Sequence, residues 1–101
     1  MLKNFNTNLL DYENNAISEA GKPVTMRSII VNTINLASDN AQIDGEEKYK
    51  RYALAQRIAN TTEEDAEINV SVEEVVLIKK CFNNTHLSPL VIGRVFDFLE
   101  A

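Results

Sequence analysis

The chain has 101 residues, 45% of them apolar and 25% charged, and a formal net charge of −5 at pH 7. This length and composition fit one small domain with its own hydrophobic core, and they exclude a collagen-like, low-complexity or wholly disordered chain. The single cysteine excludes an intramolecular disulfide and a zinc site built from several thiolates, while the negative balance repels phosphate backbones and favours a basic partner.

The segment up to about Val24 is rich in Asn and lacks a helical period. Its patches "NFNTNLLDY" and "NAISEAGKPV" are separated by "ENN", and Gly21-Lys22-Pro23 is a turn signal. A loose β-hairpin or an extended arm is expected. This segment has no continuous apolar stretch of the signal-peptide kind, and no run reaches the roughly 20 apolar residues of a membrane span. The expected location is the reducing cytoplasm, where the sequons at Asn60, Asn69 and Asn83 are chance matches.

A first helix is expected from Thr25 as N-cap to about "SDN". Met26, Ile29, Ile30, Ile34 and Ala37 recur every three or four residues and make one apolar stripe. A second helix starts at Asp44, which with Glu47 forms a variant of the capping box. Glu46–Lys50 and Glu47–Arg51 are spaced as i,i+4 pairs, and Leu54, Ala55 and Ile58 form the buried stripe with Tyr52 beside it. The polar loop "TTEEDA" leads to a short strand, "EINVS", with Ile68 and Val70 on one side. Its natural partner is the N-terminal hairpin.

A third helix opens on a full capping box, Ser71 with Glu74, and carries Lys79 and Lys80 near its end, where the macrodipole favours cations. "NNT" ends it, because Asn tolerates the left-handed conformation. A fourth helix follows Ser88 as cap and Pro89 at its first position, and runs on to the last residues. The expected fold is thus α+β and mainly helical, with about four helices, an N-terminal hairpin or arm and one short strand.

Cys81 and His86 stand five residues apart. A Cys–His nucleophilic pair needs adjacency and a third group that orients the base. Here the cysteine sits on an apolar helix, where a free thiol behaves as a small hydrophobe, and the histidine falls in the link "NTHL". The stretch is read as a joint between helices, with no catalytic residue, cofactor or metal assigned. Lys48, Lys50, Arg51 and Arg57, interleaved with Tyr49 and Tyr52, resemble a stacking platform for nucleic acid. Glu46 and Glu47 neutralise much of that charge, so a solvated, salt-bridged face is expected and direct nucleic-acid binding is not. A helix-turn-helix built from the last two helices would present one cation, Arg94, and two acids to DNA, which makes a poor reader. The run "EEDAE" is short for a phosphate mimic.

The last helix is apolar over more than one face. Val91, Val95 and Phe98 form one line, and Ile92, Phe96 and Leu99 form its neighbour. Such a helix is central to the core or is covered on a second side by a partner. Val91, Val95, Phe98 and Arg94 are the expected partner-binding residues.

The segments "GKPVTMRSIIVN", "GEEKYKRYALAQRI" and "INVSVEEVVLIKKCFNNTHLSPLVIGRVFDFLE" together resemble small accessory proteins of tailed bacteriophages and prophages, over roughly residues 21–100. The resemblance implies a phage context and a non-enzymatic role in virion assembly or regulation, and it transfers no site residue. The expected partner is another protein chain, phage or host, or a second copy, and no membrane. The alternatives are an acidic inhibitor of a host nucleic-acid enzyme and, from another class, a small Cys/His enzyme.

Overall fold

A computed structural model describes residues 1–40, 43–83 and 85–101, with the side chains of residues 37–40 outside the described set. In chain order the elements are β1 (Leu2–Asn4), β2 (Ser18–Glu19), β3 (Lys22–Pro23), α1 (Met26–Asn40), α2 (Gly45–Ala59), β4 (Glu67–Asn69), α3 (Val72–Phe82) and α4 (Pro89–Glu100). This is the expected mainly helical α+β fold.

The N-terminal segment is both a strand and a hairpin. β1 pairs antiparallel with β4, Leu2 opposite Asn69 and Asn4 opposite Glu67, and the ladder continues where Phe5 N donates to Ala66 O at 3.1 Å. Alternation along β1 turns Lys3 inward while its neighbours face out. The Lys3 ammonium reaches the carbonyl oxygen of Ala101 and lies 6.0 Å from the Phe98 ring centroid. The expected partner of the central strand is therefore in the N-terminal segment, but it is the strand that precedes the hairpin.

The hairpin itself joins β2 to β3 through Ala20 and Gly21, at φ 52° and 79°. Two central residues with positive φ make the turn type whose twist matches paired strands. Leu9, Val24 and Ile17 close a ring of backbone hydrogen bonds, 2.7, 2.8 and 2.9 Å long, which folds the hairpin back on the preceding chain.

Each helix begins at a side chain that satisfies a free amide. Thr25 Oγ1 accepts from Ser28 N while Ser28 Oγ accepts from Thr25 N, a box with serine in place of glutamate. Asp44 Oδ1 accepts from Glu47 N at 2.8 Å. Ser71 and Glu74 complete the reciprocal box of α3, and Ser88 caps α4 ahead of Pro89. At the end of α3, Asn83 is right-handed, at φ −64° and ψ −24°. The left-handed stop expected in "NNT" is therefore not at Asn83, and Asn84 lies outside the described residues.

One core joins all the helices to the arm. Phe5 and Leu9 meet Ile30 and Ile34 of α1, Leu54 and Ile58 of α2, Ile78 and Phe82 of α3, and Val95 and Leu99 of α4. Ala37, expected in the α1 stripe, falls among the side chains outside the described set. One expectation for α2 is corrected. Tyr52, beside the stripe, is 57% exposed as a solvated face requires, but Arg51, placed by its charge on that face, is only 3% exposed. Position in the helical period outweighs charge at Arg51, because Leu54, Ala55 and Ile58 carry the same face inward.

Candidate functional site

α2 and α3 lie side by side, clamped at two places by charge. Arg57 pairs with Glu74, and Lys80 Nζ is 3.0 Å from Glu47 Oε1. The crossing of high with low numbers makes the two helices antiparallel. Each clamp is at least partly exposed to water and contributes about 1 kcal/mol or less, so its value here is orientation.

Between the clamps the surface opens into a groove of about 710 Å³. Leu54, Ala53 and Leu77 supply its apolar lining. Asp44, Glu46, Glu47 and Lys50 line the end near the start of α2, and Arg57, Glu73 and Glu74 the other. Glu46, Lys50, Ala53 and Arg57 reach the same side of α2 because three- and four-residue steps keep to one helical face. Elsewhere on α2, outside the groove lining, Tyr49 is 69% exposed and Tyr52 57%, with their rings 6.0 Å apart and tilted by 38°. Val72 and Val76 stand exposed on α3, also one turn apart.

Beneath one end lies the buried Arg51. Its Nη2 is 3.2 Å from Glu47 Oε2, and its Nε has no hydrogen-bond partner among the described residues. Glu47 thus serves two cations, Arg51 below and Lys80 above. Cys81 is close enough to feel all three charges. Burial pushes its thiol up, Arg51 and Lys80 pull it down and Glu47 raises it, with burial the largest influence. The thiol stays protonated and is a poor nucleophile. His86 is exposed, and no hydrogen bond joins it to Cys81 among the described residues.

The residues expected to bind a partner on the last helix are engaged by the chain itself. Val95 is fully enclosed and Val91 packs partly buried against the core. Phe98 meets Phe5 edge to face at 5.3 Å. Arg94 Nη2 donates to Asp11 O at 2.6 Å and to Asn14 Oδ1 at 3.2 Å. On the neighbouring line, Phe96 meets Phe82 at 6.5 Å and lies under the Lys79 ammonium. The second cover that this helix needs is supplied by the N-terminal arm on one side and by α3 on the other. A small notch of about 160 Å³ between Tyr12, Pro89, Leu90, Gly93, Arg94 and Asp97 marks the edge of that contact.

The groove is what sequence reasoning missed. Its signal was present in the spacing of Glu46, Lys50, Ala53 and Arg57 on one helix and of Glu73 and Leu77 on another, but only the neighbourhood of α2 and α3 makes these one surface. No group of three or more His, Cys, Asp or Glu placed to hold a metal ion occurs among the described residues, and none of their helices is long and apolar enough to cross a membrane. No family model, curated protein or solved structure matches the chain.

Proposed function

We propose that the protein is a non-enzymatic binding module, which acts by contact with another protein chain through the outer faces of α2 and α3. The observation that carries this reading is the Tyr49–Tyr52 pair, two large side chains held in solvent on the exposed face of α2 with their rings 6.0 Å apart. Tyrosine is enriched where proteins meet, because it offers a rigid apolar body and a hydroxyl for little conformational entropy. The buried, protonated Cys81 and the exposed His86 lend no support to a nucleophilic enzyme. With the sequence resemblance, the role is that of a phage-type accessory factor in assembly or regulation, working in the host cytoplasm or the virion.

A second reading rests on the exposed acids Glu63, Glu64 and Asp65 in the loop before β4, which would face a basic nucleic-acid enzyme as an inhibitor. Affinity capture from host lysate distinguishes the two. The tyrosine-face reading expects a retained partner that is lost when Tyr49 and Tyr52 are both changed to Ala in a chain that still folds. A partner insensitive to that change but lost with Glu63→Gln, Glu64→Gln and Asp65→Asn would replace it with the acidic-loop reading.

A further inference from the structure

We propose that the α2–α3 groove receives a cationic amphipathic helix of another protein, basic at both ends of the contact and apolar between them. This rests on the protein-contact reading above and names the partner's chemistry.

The charges of the groove divide into spent and unspent. Glu74 is held by Arg57 and by the Ser71 amide. Glu47 is held by Lys80 and Arg51. Glu46 and Glu73 have no ion pair among the described residues, and both are exposed. Each alone is accounted for by its place in the first turn of a helix, where a carboxylate suits the dipole. Their joint placement is not. Because α2 and α3 run in opposite directions, their first turns fall at opposite ends of one groove, with Leu54, Ala53 and Leu77 between.

That layout has a matching ligand. Glu46 on α2 and Arg57, which marks the level of Glu73–Glu74, are separated by a helical rise of about 16 Å. A partner helix crosses that distance in about eleven residues, and eleven residues return a side chain to the same face. Two cations at that spacing would meet the two carboxylates while apolar residues between them lie on the part-exposed Ala53 and Leu77, Leu54 being already buried in the core. Lys50, one helical turn on from Glu46, repels a cation placed further along the groove between the two acids, which favours the same register. A second copy of this chain is a poor occupant, since it too carries a net charge of −5.

The test uses the full chain and a synthetic helical peptide on an Ala/Gln background, with two lysines about eleven residues apart and two leucines between them on the same face. A control peptide replaces the lysines with glutamates. Titration followed by backbone amide NMR should move the signals of Ala53 and Leu77 with the lysine peptide and not with the control. Glu46→Lys with Glu73→Lys should weaken binding by about tenfold or more, and added salt should weaken it in wild type. Glu46→Gln with Glu73→Gln gives a smaller loss in the same direction, should the reversal disturb folding. The proposal is overturned by shifts away from the groove or none at all, by equal response to both peptides, by charge variants that bind as wild type, or by groove signals that move on dilution of the protein alone. A natural partner that depends on Tyr49 and Tyr52 but ignores Glu46 and Glu73 would overturn this inference and leave the broader reading standing. A partner indifferent to all four would overturn both.

Discussion

Phe5 of the N-terminal arm stands edge-on to Phe98 of α4, ring centroids 5.3 Å apart and planes at 74°. Phe5 is fully buried, so the arm is part of the core. Phe5→Ala should cost about 3–5 kcal/mol, the usual loss for a buried phenylalanine, read as a lowered urea midpoint. Phe98→Glu should unfold the chain, because it sets a carboxylate against the Phe5 ring. A folded Phe98→Glu variant of near-normal stability would show that the arm is dispensable.

Ser71→Ala removes the hydroxyl that accepts from Glu74 N at 3.1 Å, and should cost about 0.5–2 kcal/mol. Glu74→Ala should cost more than a cap alone, since the same side chain also holds Arg57 and so ties α3 to α2. Denaturation midpoints of the two variants and their double variant measure the excess directly. Equal losses would mean that the clamp to Arg57 contributes nothing.

Arg51 and Glu47 should respond with opposite signs. Arg51 is buried with its Nε unpartnered among the described residues, so Arg51→Met removes a costly group and should leave stability unchanged or raised. Glu47→Ala strands the buried guanidinium and should cost about 1–3 kcal/mol, less than a fully enclosed pair because Glu47 is 28% exposed. Thermal melts of both variants check the contrast. A large loss in Arg51→Met would show that the cation stabilises the fold.

Burial lifts the Cys81 thiol above its ordinary value of 9.0. The folded chain then holds this proton more tightly than the unfolded one. Its contribution is complete below that value and is lost as pH climbs through the higher folded value. Denaturation measured from pH 8 to 10 should show wild type losing stability relative to Cys81→Ala above pH 9, by up to about 1.4 kcal/mol per unit. A thiol reagent should react with the native protein only as fast as the chain opens. Rapid labelling of the folded state would restore Cys81 as a candidate nucleophile.

The helix starts were legible because capping is local. Asp44, Ser71 and Ser88 each act on an amide three residues on, and that spacing can be read directly. The strand from Glu67 was legible from alternation, but its exact partner was not, since β1 lies at the other end of a chain that passes through the hairpin and two helices, and pairing obeys register. Arg51 shows a different limit. An i,i+4 pair with Glu47 looks the same in sequence whether it is wet or buried. The breadth of the apolar surface on α4 is legible in its sequence, and it leads to a partner surface being expected at Val91, Val95, Phe98 and Arg94. The sequence pattern of that helix says nothing of what covers the surface, and the answer is Phe82 from the helix just before it and Phe5 from the far N-terminal arm. The groove was hidden for the same reason, because it exists only where two faces adjoin.

The seating of β1 against β4 and of Phe5 against Phe98 also orders events in time. The arm leaves the ribosome before its partners, since its strand partner follows only after α1 and α2, and its aromatic partner only with α4. Contacts so far apart in the chain form late and slowly. Until then the inward faces of Phe5 and Leu9 have nothing to rest on, and a nascent chain in that condition is open to capture by other apolar surfaces. The arm, made before its partners, is among the last parts to find its place.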